Sequence, residues 1–324
     1  MNLSNGSDQS SLPQIKLQVA SVWVFVVYIT LGVPVVVGNA LVSATVLRYE
    51  ALRTENAFVT TMGLSMADAA VQLGFVIAGI RRIWLIATGE SDEFTTRFSC
   101  MFSPQLFLWT FGGLAASLMM FIVSVDRVLC VKYPIQYIGW SPWHGRRLVG
   151  GAYGGCAVAT LIGYILSISE PDSGRPIVSS LCILSDAQGP RFFPFYGFFL
   201  PTFALFSVFV YMAVPIISYR NEAKVSGSIL FVNESRKKKL KRQNKLTISF
   251  GISAAVTFSC VIVPGYINSR VALRSPNTAV IFWAIYLLNP LFNVLIYLKR
   301  QREIRKGLKA LLVGKNLPNN LDLW

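Results

Sequence analysis

Long apolar runs alternate with short charged stretches along the whole chain. A helix needs about 20 mainly apolar residues to cross about 30 Å of hydrocarbon. Seven runs meet that length, at 22–47, 57–80, 102–129, 147–169, 194–219, 246–269 and 279–298. The pattern predicts an all-α membrane protein, a seven-transmembrane helix bundle. Connections are short except for 170–193, which carries Cys182, and 220–245, which carries Arg236, Lys237, Lys238, Lys239, Lys241 and Arg242. After the last run, Ile304, Leu308, Leu311 and Leu312 share one helical face and basic residues take the other. That arrangement predicts a short amphipathic eighth helix in the membrane interface; a solvated basic tail is the alternative. The chain divides into a tail (1–21), a membrane domain (22–298) and an amphipathic helix with its tail (299–324).

Composition agrees with lipid as the main solvent: 53% of residues are hydrophobic and 14% charged, against about 25% charged in soluble domains. The net charge of +15 would suggest nucleic acid if it formed one patch. Instead, about 22 of the 30 Lys and Arg fall in segments assigned to one side and about 8 to the other, the bias that orients membrane proteins. The basicity therefore reads as topology, with the N-terminus extracellular, the C-terminus cytoplasmic and no nucleic-acid partner. The first 20 residues lack a basic stretch followed by an apolar core, so the first span is expected to serve as signal anchor. Asn2 and Asn5 stand in N-glycosylation sequons, consistent with a tail facing the lumen. Of five cysteines, Cys100 and Cys182 alone fall in segments assigned outside, where oxidising conditions permit a disulfide. One bridge is expected.

Ionisable residues inside spans are costly and are the first functional candidates. Two acids qualify: Asp68 in the second run and Asp126 at the inner end of the third, followed by Arg127. Asp126-Arg127 with Pro134 seven residues later resembles the rhodopsin-like (class A) G-protein-coupled receptor family. Further landmarks of that family stand in order: Gly38-Asn39, Leu64 to Asp68, Pro201, Phe258 with Pro264, and Asn289 to Tyr297. They cover every core helix except the fourth.

The resemblance implies a receptor domain over 22–298 in the plasma membrane that converts binding of an extracellular ligand into activation of a heterotrimeric G protein. It implies a polar core of Asn39, Asp68, Asn289 and Asn293, where Asp68 with water can hold an allosteric sodium ion; a purely structural polar network is the alternative. It implies that Asp126 pairs with Arg127 at rest, that Arg127, Asn293 and Tyr297 belong to the coupling switch, and that Pro201 and Pro264 act as helix hinges. The bridge would tie the top of the third helix to the second outer loop. Where many relatives hold the arginine with an acid at the inner end of helix six, Lys241 to Lys245 contain none, which predicts a weaker resting lock.

Departures mark a divergent member of the orphan or expanded invertebrate chemoreceptor kind. Ile262 stands for the usual aromatic, Val294 for a proline and Tyr211 falls late after Pro201; the fourth helix lacks its tryptophan, and the step from Cys100 to Arg127 is about two residues long. Trp109 occupies the place of the aminergic acid, and the seventh run has no lysine for a retinal Schiff base. The expected ligand is thus neither monoamine nor retinal. Arg81, Arg82, Arg97, Arg175, Arg191, Arg270 and Arg274 stand near the outer ends. Those that converge could bind a carboxylate or acidic peptide, the alternative being scattered solvated charges neutralised by Glu90, Asp92, Glu93, Glu170 and Asp172. Arg82, Trp109, Tyr266, Arg270 and Tyr286 form the pocket candidate, with Phe198 a further aromatic wall. A transporter would ask for more intramembrane charge or an internal repeat. With His144 as the sole histidine, no histidine-based metal site or triad can be built, and an enzyme is not expected.

Overall fold

The computed structural model describes residues 22–226, 247–248, 251–263 and 276–316. Five helices are long and apolar enough to cross a membrane: α1 (Val22–Arg48), α3 (Asn56–Thr88), α5 (Pro104–Lys132), α7 (Trp143–Ile168) and α8 (Leu184–Ser226, its apolar part ending at Val214). Between them lie α2 (Glu50–Arg53), α4 (Arg97–Met101) and α6 (Pro134–Ile138). The shorter apolar α9 (Gly251–Ile262) ends in a π-helical turn over Phe258–Ile262, and α10 (Pro276–Arg300) leads to α11 (Arg302–Val313).

Local chemistry sets several boundaries. Pro104 opens α5 at a position where its missing N–H costs nothing. That start separates Cys100, which sits on α4, from α5 by Phe102 and Ser103. The bridge therefore joins a short helix before the third span, not the span itself, and the break accounts for the long step from Cys100 to Arg127. Gly89 caps α3 with φ of +79°, and the helix ends at Thr88, eight residues beyond the apolar run that predicted it. Gly189 (φ 71°) interrupts α8, so the fifth span enters ahead of residue 194. Pro201 lies inside α8, where Gly189 is the non-helical residue.

α5 is the central helix: 61% of its most apolar window is buried inside the protein, against 22% for α7. Helices α3 and α8 pack along α5, and α1 packs along α3. Small residues let backbones approach, as is usual between membrane helices: a Cβ on Gly38 would stand 2.8 Å from Val294 Cγ1, and one on Gly112 would stand 3.0 Å from the Val71 backbone. Trp23, Val37, Trp84, Leu161 and Phe206 are exposed on the outside of the bundle, where lipid would cover them. Among the buried clusters, one at the inner end joins Phe58, Met119, Val123, Tyr211 and Tyr297. Another at the disulfide end joins Phe25, Phe75, Trp109 and Leu287.

A two-stranded antiparallel sheet interrupts the all-helical expectation at the disulfide end. Strand β1 (Phe94–Thr96) pairs with β2 (Pro176–Ser179), with Phe94 opposite Ser179. At the other end α11 seats Ile304, Gly307 and Ala310 in the protein, with Gly307 against Thr45, Leu52 and Tyr49. Tyr49 fixes its end by donating from its hydroxyl to the Lys315 carbonyl at 3.0 Å.

Candidate functional site

At the inner end of α5, Asp126 and Arg127 are fully buried and form an ion pair. Arg127 Nε donates to Asp126 Oδ2 at 3.1 Å, and Nη2 reaches the same oxygen. Tyr137 on α6 completes the group: its hydroxyl accepts from Arg127 Nη2 at 2.9 Å and donates to the Asp126 carboxylate at 2.9–3.0 Å. Burial pushes the Tyr137 phenol well above its ordinary value, opposed by Arg127, so the proton needed for that donation stays in place. A buried ion pair is worth keeping only when further hydrogen bonds satisfy its lone pairs, and Tyr137 supplies them.

A ladder of polar side chains rises from this end through the bundle. Asp68 on α3 accepts from Asn293 Nδ2 at 3.2 Å, and Ser253 on α9 donates to Asn293 Oδ1. One turn higher, Thr257 donates to Asn289 Oδ1 at 2.9 Å. On α5 Ser124 bonds Ser207 of α8. Tyr211, also on α8, donates to the Thr247 carbonyl. Asn39 is buried but donates to Val35 of its own helix at 3.1 Å, and its Oδ1 has no partner among the described residues. Ser65, one turn before Asp68 on the same face, and Gln72, one turn after it, are likewise buried with unpartnered side-chain atoms. Unsatisfied oxygens around one carboxylate suit ordered water. With that water, these oxygens and the Asp68 carboxylate are the hard donor type that a sodium ion takes. Among the described residues no group of three or more His, Cys, Asp or Glu could hold a metal, so neutral oxygens and water would complete the shell.

At the opposite end, Cys100 and Cys182 form the disulfide. Beneath it Arg82 is 9% exposed. Its Nε donates to the Leu181 carbonyl at 3.1 Å and Nη2 reaches the Cys182 carbonyl at 3.5 Å. The guanidinium carbon lies 5.5 Å from the Phe25 ring and 5.4 Å from that of Trp109. Phe75 stands 5.1 Å from Trp109 and 6.4 Å from Tyr286, so Arg82, Trp109 and Tyr286 share one aromatic cluster. Three other outer arginines are engaged elsewhere, whereas Arg81 beside it has a buried, unpartnered Nη1, and Arg270 and Arg274 lie outside the described residues. Arg191 pairs with Glu170 at 3.3 Å, Arg175 with Asp172 at 3.0 Å, and Arg97 binds the Asp186 carbonyl at 3.0 Å.

Residues 38–297 match the model of the 7 transmembrane receptor (rhodopsin family). The chain belongs to the rhodopsin family of seven-transmembrane receptors. It is also similar to Proteinase-activated receptor 1 of Mus musculus, 24% identical over 276 residues. The alignment covers 80% of this receptor and 59% of the mouse protein's length.

Family membership makes the receptor a multi-pass, all-helical membrane protein and not an enzyme. Asp126, Arg127, Asp68, Asn289, Asn293 and Tyr297 all lie buried. Asp68 and Asn293 bond directly, Asn289 joins through Thr257, and Asn39 stays bonded to its own turn. One expectation changes: Phe198 is 70% exposed, so it is not a buried wall of the aromatic cluster around Arg82; it is apolar on a lipid-facing side, where hydropathy cannot distinguish lining from lipid contact. The landmark Phe258 is 42% exposed. Asn2, Asn5, Pro264, Tyr266, Arg270 and Lys241 to Lys245 lie outside the described residues. Tyr137, Ser253 and Thr257 were missed; they are ordinary residues in sequence, identified only by what they touch.

Proposed function

We propose that this receptor sits in the plasma membrane with its N-terminus outside and converts binding of an extracellular ligand into activation of a heterotrimeric G protein. The buried Asp126–Arg127 pair, bridged by Tyr137, carries the reading. A cation held under the inner surface by contacts that a helix shift would break is a two-state element, and a ligand with different affinity for the two states biases it. Arg127, Asn293 and Tyr297 act in the coupling switch, and Pro201 and Pro264 let their helices bend. The basic 220–245 loop and α11 face the G protein and anionic lipid of the inner leaflet. Asp68, with Asn39, Ser65 and water, would hold a sodium ion, which would supply positive charge that stabilises the resting core.

On the outer side Arg82, Trp109, Tyr266, Arg270 and Tyr286 belong to the ligand pocket, for a ligand that is neither a monoamine nor retinal. Asn2 and Asn5 carry glycans. The departures at Ile262, Val294 and Tyr211 support a divergent member of the orphan or expanded chemoreceptor kind.

The test is nucleotide exchange on a panel of purified G proteins by the reconstituted receptor, screened against small acids, peptides and odorants. Exchange by at least one G protein, lost on Arg127→Leu with surface expression retained, is expected. Equal exchange by the variant would remove the proposed switch.

A further inference from the structure

Arg82 stands out among the buried groups the coupling reading does not use. It lies near the outer end of α3, and helical side chains lean toward the helix N-terminus. That lean takes the guanidinium inward, beneath the loop carrying Cys182, between Phe25 of α1 and Trp109 of α5. Two of its nitrogens are committed to the Leu181 and Cys182 carbonyls. Among the described residues Nη1 has no hydrogen-bond partner and no carboxylate pairs with Arg82. Glu170 and Asp172 pair with Arg191 and Arg175, and among the described residues Glu90, Asp92 and Glu93 form no ion pair with Arg82. Residues 264–275 contain no acid, and residues 1–21 contain only Asp8. A buried cation with carbonyl and ring partners but no counterion bears a desolvation cost that neutral dipoles repay in part.

We infer that Arg82 is the anion-recognition residue of the ligand pocket and that the ligand is a carboxylate monoanion on an aromatic or apolar body. One free guanidinium nitrogen, with two N–H donors, matches one carboxylate and forms the charge-assisted bonds Arg82 lacks. A phosphate, with more oxygens and more charge, would leave acceptors bare among the rings. The body lies against Trp109, Phe75 and Tyr286, the ring cluster beside the guanidinium. The loop carbonyls orient the guanidinium, so the disulfide-tethered segment positions the anion site while also roofing it.

This inference rests on the receptor reading, but its test needs no G protein, so failure of one is distinguishable from failure of the other. Thermal unfolding of the purified receptor is followed with 3-phenylpropionate and benzoate, and with their primary amides, which match them in shape and lack the charge. The acids are expected to raise the wild-type Tm with concentration while the amides do not. Arg82→Gln without ligand is expected to melt no lower than wild type, because an uncompensated buried charge has been removed. Its midpoint for the acids should be weaker by about 10- to 150-fold, the value of a hydrogen bond to a charged group. Arg82→Lys keeps the charge and should retain part of the response. Amides as effective as acids, acids without effect on wild type, or an unchanged acid response in Arg82→Gln would each overturn the inference. Misfolding or a lowered Tm in both variants would make Arg82 a loop anchor and overturn it as well.

Discussion

Replacing Tyr137 by Phe isolates the hydroxyl that bridges the inner ion pair. The ring remains, and with it the 5.7 Å contact to the Arg127 guanidinium and the 5.3 Å contact to Trp140. What is lost is one bond accepted from Arg127 Nη2 at 2.9 Å and one donated to Asp126. A hydrogen bond to a charged group contributes about 1.5–3 kcal/mol. Because Asp126 and Arg127 stay paired, the net loss is taken as about one such bond. If the bridge exists only at rest, the equilibrium between resting and active forms moves by about 10- to 150-fold. A receptor about 1% active without ligand would become about 10–60% active. The assay is ligand-independent nucleotide exchange on reconstituted G protein, normalised to receptor folded by Tm. Unchanged or reduced basal exchange in a folded Tyr137→Phe receptor would refute the assignment of the bridge to the resting state.

Three further outcomes follow from the same geometry. Sodium in place of an organic cation should lower basal exchange of the wild-type receptor and raise its Tm. Asp68→Asn should remove both effects, and persistence of either in that variant would place the ion elsewhere. Cys100→Ser opens a link across 82 residues and should cost about 2–5 kcal/mol of stability, read as lost cell-surface receptor and a lowered Tm. Gly38→Val sets a side chain against Val294, where even a Cβ would approach to 2.8 Å, and should destabilise by about 1–3 kcal/mol. Adding Val294→Ala should restore much of that loss, whereas strictly additive effects would show that the two sites do not touch.

Much of the architecture was legible in the order of residues. The apolar runs foretold α1, α3, α5, α7 and α8, because spanning lipid is a requirement on composition and length that each segment meets by itself. The amphipathic period foretold α11, and compartment chemistry paired Cys100 with Cys182. Asp68 and Asp126 announced themselves because a charge inside an apolar helix is rare and costly. Helix boundaries followed turn chemistry instead of hydropathy, so the glycine cap at Gly89 and the break at Gly189 moved two ends away from the apolar limits.

Only the tertiary structure decided which neighbours these residues have. Whether Phe198 lines a cavity or meets lipid depends on how its helix is rotated, and an apolar residue satisfies either surface equally. Asn39 could have reached Asp68 or its own turn, and in the folded bundle it bonds its own turn. Tyr137, Ser253 and Thr257 acquire meaning from partners on other helices, and Arg82 becomes a buried, uncompensated cation only once α1, α5 and the loop behind Cys182 close around it. Hydropathy is local to a segment, whereas a site is a set of distances between segments, and those distances exist only in the folded bundle.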